Sequence, residues 1–290
     1  MKALLHLQKH LLFASLLSLC FSGCIKEPGP VIPTPAARPA WLLSRMTEVT
    51  AYGDPIMGQA YYYKQVAEFR YNRFYKPALQ LTYSSPNQDD TVHLVLFTKD
   101  TFYYDGSRRV AEIKTLDRDN RAVVLKRFHY SGNDSLPNAY EIYYYDSTGT
   151  PGMRYSSQYS YLADTAVLVS TSASKGETSL YIYHQGNYTT YCAGGGATQC
   201  GTIYGEYTGP NVFLSLNLPH MIGLNVPSAY NAYADGPRIS RENWQLLNDG
   251  NPNHYRSLTF NADGLLAATY WSNYIPELVS QTHFEYIQPE

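Results

Sequence analysis

Long apolar runs are scarce in this chain of 290 residues. Leu11 to Leu19 is apolar but too short for a bilayer-spanning helix. No later run approaches the roughly 20 residues that a span needs. Charge is scarce too, with 22 Lys and Arg against 24 Asp and Glu, a formal net of −2. That balance leaves no basic face for nucleic acid, so no nucleic-acid partner is expected. There are four cysteines. Cys192 and Cys200 have no His or second cysteine pair at ligand spacing, which argues against a zinc site. His93, His129, His184, His220, His254 and His283 are scattered, and none forms an i, i+4 pair enclosing a Glu. There is no nucleophile elbow, and Gly194-Gly195-Gly196 lacks the Lys and Ser/Thr that follow a phosphate loop. No metal or cofactor is expected. Helical patterns of 10 to 15 residues between strands are also missing, which argues against a parallel βαβ fold.

The N-terminus is more explicit. Lys2 and Lys9 precede the short apolar run, and small residues then lead to a cysteine, the order of a secretory signal peptide. Phe21-Ser22-Gly23-Cys24 resembles the lipobox of bacterial lipoproteins, in which the cysteine becomes the acylated first residue. Residues 1–23 are thus expected to be a signal peptide, and Cys24 to carry lipid. Pro28, Pro30, Pro33, Pro35 and Pro39 follow and favour polyproline II. Residues 24–40 read as a tether, whose 15 residues after Cys24 reach about 45 Å when extended. Ile25-Lys26-Glu27 places no Asp after the cysteine, and its basic-acidic pair resembles a surface-export signal of Bacteroidetes lipoproteins. The expected location is the outer membrane, with the cell surface favoured over the periplasmic face. The lipid is the expected membrane contact. Cys192 and Cys200, which flank a glycine-rich loop, fit an oxidising compartment as a disulfide worth about 2–3 kcal/mol by loop-closure entropy.

Residues 41–290 read as one β-rich domain. Tyrosine is abundant, 29 of 290 residues, and favours strands whose rings are buried while the hydroxyl stays bonded. Tyr140, Ile142 and Tyr144 alternate with Glu141, Tyr143 and Tyr145. Val92 to Phe97 is almost wholly apolar and reads as a strand covered on both faces. Turn signals recur every 11 to 15 residues: Ser85-Pro86-Asn87, Asp105-Gly106, Asp119-Asn120, Gly132-Asn133-Asp134, Ser147-Thr148-Gly149, Lys175-Gly176 and Gln185-Gly186-Asn187. The fold class expected is all-β, a large antiparallel β-meander that is open, strongly twisted or partly closed. Leu42, Met46 and Val49 share a helical face, so a short helix over Trp41 to Val49 is expected to cap it. Residues 209 to 256 hold Pro210, Pro219, Pro227, Pro237 and Pro252 and form one long irregular excursion.

The strand-turn unit repeats in sequence. Glu141-Ile142-Tyr143-Tyr144-Tyr145-Asp146-Ser147-Thr148-Gly149 is one copy, Leu258-Thr259-Phe260-Asn261-Ala262-Asp263-Gly264-Leu265-Leu266 a second, and Phe102-Tyr103-Tyr104-Asp105-Gly106 a shorter third. These resemble YD/RHS-like β-hairpin repeats. Tyr207-Thr208-Gly209-Pro210-Asn211-Val212-Phe213 resembles the aromatic-x-x-x-Asn-Pro-Phe insert of a Bacteroidetes lipoprotein family of unknown function, with Val212 in place of the Pro. That resemblance implies a large antiparallel sheet and no established activity.

Candidate chemistry is weighed against structural roles. Glu112, Asp117, Asp119, Glu141, Asp146 and Glu206 are the acids available for a glycosidase pair. The aspartates sit in turns, where bonds to backbone account for them. Asp117-Arg118-Asp119-Asn120 and Asn248-Asp249-Gly250-Asn251 offer oxygen ligands but lack the terminal Glu of a calcium loop. Asp-Ser and Asp-Thr turns at Thr91, Ser135, Ser147 and Thr165 resemble the short O-glycosylation motif of Bacteroidetes envelope proteins. Trp244, Trp271, Tyr230 and Tyr233 are the aromatics placed to contact a glycan or partner. The expected function is therefore a lipid-anchored envelope module that binds a glycan or an envelope protein. A secreted polysaccharide or peptide hydrolase and a purely structural repeat module are the alternatives. The anchor has a direct test: Cys24→Ala should move the protein from the membrane fraction to the soluble fraction, and unchanged retention would refute acylation.

Overall fold

Alternating strands bounded by Asx and Gly turns need partners on both sides, because each leaves a row of backbone donors and acceptors unpaired. A computed structural model of the chain describes residues 39–54, 59–86, 90–162, 166–171, 178–184, 187–193, 199–202, 206–210, 215–218, 242–245, 255–272 and 278–290. The described strands are β1 (Leu42–Asp54), β2 (Gln59–Tyr71), β3 (Pro77–Ser84), β4 (Val95–Tyr104), β5 (Val110–Asp117), β6 (Ala122–His129), β7 (Ala139–Tyr145) and β8 (Pro151–Leu162). They continue with β9 (Ala166–Thr171), β10 (Thr178–His184), β11 (Asn187–Ala193), β12 (Gln199–Thr202), β13 (Glu206–Pro210) and β14 (Glu242–Gln245). The last three are β15 (Tyr255–Phe260), β16 (Leu266–Ser272) and β17 (Leu278–Ile287).

Fifteen of these form one sheet, in which β1 to β12 lie in chain order and β17, β16 and β15 continue it on the other side of β1. Its pairings are antiparallel throughout, and β13 and β14 form a separate antiparallel pair. The β-meander expected from the sequence is therefore present, and β12 and β15 are the edges of its described part. So many strands cannot stay flat, and right-handed twist curls the sheet.

The turns explain the repeat. Five of them share one hydrogen-bond pattern, each opening on Asn or Asp: Asn72, Asp105, Asp117, Asp146 and Asn261. In each, the first residue's N–H donates to the carbonyl four residues on, and the fourth residue's N–H donates back to the first carbonyl. The side-chain oxygen of the first residue accepts the N–H groups two and four residues on. The fourth residue is left-handed in all five: Tyr75 (φ 57), Arg108 (φ 62), Asn120 (φ 61), Gly149 (φ 80) and Gly264 (φ 74). This is a type I turn followed by a bulge. The three copies visible in sequence are joined by two, at Asn72 and Asp117, that lack its aromatic-Asx-Gly flavour.

A second regularity lies at one end of the sheet. Tyr71, Tyr104, Tyr130, Tyr161 and Tyr286 stand at or next to the ends of β2, β4, β6, β8 and β17. Each hydroxyl donates to a carbonyl at or near the start of the adjacent strand: Leu43, Pro77, Val110, Pro137 and Leu266. Burial pushes the phenols of Tyr71, Tyr104 and Tyr130 up, so they remain protonated donors. Tyrosine is abundant partly because it supplies this bond.

One face of the sheet is enclosed. Met46, Ala67, Phe69, Phe102, Ile113, Phe128, Tyr140, Tyr159 and Phe284 form its apolar half, towards the end bearing turns 72–76, 105–109 and 261–265. Phe128 stacks on Tyr140 at 5.1 Å. Two expectations are overturned. The segment expected to be a helix at Trp41 to Val49 is strand β1, since β2 and β17 pair with it on both sides and Thr47, Val49 and Thr50 are β-branched. Val92 to Phe97 is not covered on both faces: Val92 is 80% exposed and Phe97 57%. Pairing of β4 with β3 begins only at Val95, so the residues before it lie beyond the ladder.

The turns carry acid sensitivity. The Thr148 hydroxyl and the Thr150 amide hold the Asp146 carboxyl below the usual carboxylate range. A depressed native pKa stabilises above the unfolded value of about 4, and that contribution is lost as pH falls through the native value. Asp146→Ala should lower Tm by roughly 2–4 °C at pH 6. The gap between variant and parent should narrow below pH 4 in calorimetric scans, and a gap independent of pH would contradict this origin.

Candidate functional site

Strand alternation sends two different sets of side chains to the two faces. On the enclosed face, beyond the apolar half, the inward positions turn polar. Glu48, Thr50, Gln80, Thr82, Asp100, Thr115, Lys126, Ser157, Ser280 and Thr282 are all buried there. The register joins them, with Thr50 opposite Ser280, Glu48 opposite Thr282, Gln80 opposite Asp100 and Asp100 opposite Thr115. Ser280 Oγ donates to Glu48 Oε1 at 2.7 Å and Thr50 Oγ1 donates to the same oxygen at 3.1 Å. Thr115 Oγ1 donates to Asp100 Oδ1. Thr282 Oγ1, in a residue only 1% exposed, has no hydrogen-bond partner among the described residues. The layer is a packed polar seam, with buried carboxylates held by hydroxyls.

The outward face is charged and aromatic. Tyr103, Glu112, Arg127, Glu141 and Ser156 lie in one row across β4 to β8. Arg127 Nε donates to Glu112 Oε1 at 2.8 Å, and its guanidinium lies 5.1 Å from the Tyr143 ring centroid. Tyr143 Oη donates to Glu141 Oε2 at 2.9 Å, and His129 Nε2 is 3.2 Å from the same oxygen. Burial alone would raise the Glu141 carboxyl, but the bonds from His129 and Tyr143 outweigh it and hold the group low. Tyr103 is 48% exposed at the end of the row. Glu112 and Glu141 are two strand spacings apart, about 10 Å between backbones, with Arg127 between them. Glu112 is held by Arg127, and Glu141 by Tyr143 and His129, on the outward face of the sheet.

This face is suited to water. Arg45 lies within 4.0 Å of Glu68 and Glu285 across three strands. Lys64, Arg70, Lys99 and Lys114 also occupy outward positions, alternating with the enclosed ones. A charge facing lipid at mid-membrane costs about 2–4 kcal/mol in a barrel, so these outward charges would be unfavourable against lipid. Among the described residues no helix is long and apolar enough to cross a membrane. Nor, among them, does any group of three His, Cys, Asp or Glu side chains assemble that could hold a metal.

The sequence candidates fall as follows. Cys24, Tyr230, Tyr233 and Thr165 lie outside the described residues, as do His220, His254 and Asn248-Asp249-Gly250-Asn251. Cys192 on β11 and Cys200 on β12 occupy directly opposed register positions. Trp244 on β14 is opposite Tyr207, and Trp271 on β16 is opposite Arg256 and Ser280. Nothing beyond these backbone positions is described for those four residues or for Glu206. Ser147 is exposed in the β7–β8 turn, whereas Thr91 and Ser135 are half-buried. Asp90 Oδ1 accepts the Val92 and His93 amides beside Thr91. Asp117 and Asp119 spend their carboxylates on backbone amides and on Arg121. The Arg127–Tyr143–Glu141–His129 network was missed. Its members stand at i, i+2 positions on two strands, but the pairing that joins them depends on register, which the sequence does not spell out.

No family model matches the chain, and no curated protein matches it. Among solved structures it is similar to a porin-like protein from Bacteroides uniformis, 11% identical, covering 87% of this chain and all of that one, with a TM-score of 0.47. It is also similar to part of the Tc holotoxin pore of Photorhabdus luminescens, 12% identical, covering 77% of this chain and 12% of that one, with a TM-score of 0.19. At these identities and scores neither likeness says what this chain binds.

The orphan hydroxyl makes a test of the seam. Thr282→Val removes an unpaired buried polar atom at constant shape and should stabilise the protein by about 1 kcal/mol in urea unfolding. Ser280→Ala removes a bond to a buried carboxylate and should destabilise it by about 1.5–3 kcal/mol. Destabilisation by Thr282→Val would mean that its hydroxyl is bonded.

Proposed function

We propose that the protein is a lipid-anchored module of the cell envelope that presents the outward face of its sheet to a glycan. The observation that carries this is the row of Tyr103, Glu112, Arg127 and Glu141 with Tyr143 and His129. Sugar recognition asks for an exposed ring to stack on and for fixed charged donors and acceptors beside it. Tyr103 supplies the ring, and the Arg127 and Glu141 pairs supply oriented polar groups. Trp244, Trp271, Tyr230 and Tyr233 extend this proposal to the excursion and its return strands.

The address supports the same reading. The lipobox-like Cys24 and the proline-rich tether supply an attachment that needs no membrane-embedded strand. The charged outward face of β1 to β8 and β17 would be unfavourable in lipid and is at ease in water. The tether meets the sheet at the start of β1, so turns 117–121 and 146–150, at the opposite end, would point away from the membrane. Exposed Ser147 lies there and is the O-glycosylation candidate least hindered by packing.

A structural module is the second reading, favoured by the five like turns and five like tyrosine bonds. The two readings separate in one experiment. On an array of bacterial and host polysaccharides, the full-length protein should bind at least one glycan class, and Tyr103→Ala and Arg127→Ala should each weaken that binding about tenfold without changing far-UV circular dichroism. Silence across the array, together with no partner in pull-down, would leave the scaffold.

A further inference from the structure

We propose that Arg73, Phe74 and Arg108 form a cationic clamp that docks their end of the sheet on the phosphate headgroups of an anionic membrane. The inference is independent of the glycan face. It rests on the anchor reading above for the membrane as the source of the phosphate.

The clamp joins two turns. Turn 72–76 presents Arg73 and Phe74, turn 105–109 presents Arg108, and all three residues are exposed. The Arg73 guanidinium lies 4.8 Å from the Phe74 ring centroid and the Arg108 guanidinium 4.3 Å from it. One exposed ring thus gathers two cations by attraction to its π system. Arg45, Arg109, Arg121 and Arg127 each have a carboxylate within 4.0 Å. Among the described residues, Arg73 and Arg108 have none at that distance. Asp105, on the same turn as Arg108, is bonded to Arg109 at 2.7 Å. Glu290 reaches turn 72–76 through its main-chain oxygen, which accepts from Tyr75 Oη at 3.3 Å. Two guanidiniums beside each other without a carboxylate offer two planar donor forks, and phosphate oxygens match such forks.

The backbone points the same way. Arg108 is left-handed, with φ 62, at the position that Gly149 and Gly264 take in their turns. A residue with a Cβ is disfavoured there. What arginine adds over glycine at this position is the guanidinium beside Phe74. Burial, and then the Arg108 charge, push the Lys76 ammonium below its usual range, so the field of Arg108 extends past the ring.

Position decides the source of the phosphate. Tyr71, directly before turn 72–76, donates its hydroxyl to the Leu43 carbonyl at the start of β1. The clamp therefore stands at the end where the chain enters the sheet from residues 24–40. A lipid on Cys24 would hold that end near the bilayer, and an aromatic flanked by arginines suits an anionic interface.

The test reconstitutes the full-length protein with vesicles of phosphatidylcholine alone, or with a third of it replaced by phosphatidylglycerol. Flotation with the neutral vesicles reports the anchor, and amide hydrogen exchange of residues 72–76 and 105–109 reports the clamp. Exchange there should slow at least threefold on the anionic vesicles relative to the neutral ones, with residues 117–121 unchanged. The difference should vanish in Arg73→Gln/Arg108→Gln and at about 0.5 M salt, where screening is strong. It should persist in Arg118→Gln/Arg154→Gln, which removes the same charge from exposed sites elsewhere. Equal exchange on both vesicles by a protein that floats with both would overturn the clamp and leave the anchor. Slowed exchange on anionic vesicles without flotation on neutral ones would overturn the anchor and leave the clamp. Loss of the difference in the Arg118/Arg154 variant would reduce the effect to net charge and overturn the clamp.

Discussion

The pairing of the first strand with the last is the constraint on which the rest of the structure depends. Ten register positions join β1 to β17, from Leu42 opposite Ile287 to Tyr52 opposite Leu278. A meander of hairpins alone would leave β1 an open edge, with its backbone groups facing water or another chain. Pairing with β17 covers that edge with the far end of the chain. It also brings Met46 to Phe284, Glu48 to Thr282 and Thr50 to Ser280, so both the apolar half and the polar seam of the enclosed face run across this junction. The cost is a loop closure of more than two hundred residues, which rises only slowly with length. Ten paired positions and two buried layers are set against it.

Local chemistry supplies the remainder. An Asx side chain that accepts two amides and a left-handed residue three positions on direct each of five turns into the next strand. A tyrosine hydroxyl then bonds a carbonyl at or near the start of the adjacent strand. These devices act within one hairpin or between neighbours, so the repeat is visible as sequence. Asp105, Asp146 and Asn261 were legible because Asx-Gly chemistry marks them. Asp117 lies in the turn that Asp119-Asn120 marks; Asn72 was not legible, because Tyr75 takes the left-handed position there with no Gly or second Asx beside it. The β1 segment was misread for a related reason. Leu42, Met46 and Val49 satisfy a helical period, and only the presence of β17, remote in sequence, decides for a strand.

The face that matters chemically was harder to read. Strand Pro77–Ser84 carries Leu79 and Leu81 on one face and Gln80 and Thr82 on the other, and Leu81, Gln80 and Thr82 are all buried. From sequence alone, the apolar set would be assigned to the core. The polar set lies in the interior here, with Ser280 and Thr50 bonded to Glu48 and Thr115 bonded to Asp100. Such mutual satisfaction depends on register, which pairwise alternation does not supply. The same limit applies to Arg127, Tyr143, Glu141 and His129: their residue types are unremarkable singly, and a network only when Arg127 falls opposite Glu141.

Enclosure and presentation are thus divided between the two faces. Polar groups that must be paired are turned inward, where Glu48 and Asp100 are bonded by hydroxyls from Ser280, Thr50 and Thr115. Arg127 and Tyr103 are turned outward, where both are exposed. Leu216 and Leu218 meet the sheet at its apolar end, beside the Asn72–Lys76 turn that Asn217 is bonded to. That end is where the enclosed face is finished by a segment rather than by strands. Leu216 and Leu218 join the apolar layer there without adding a strand to either sheet.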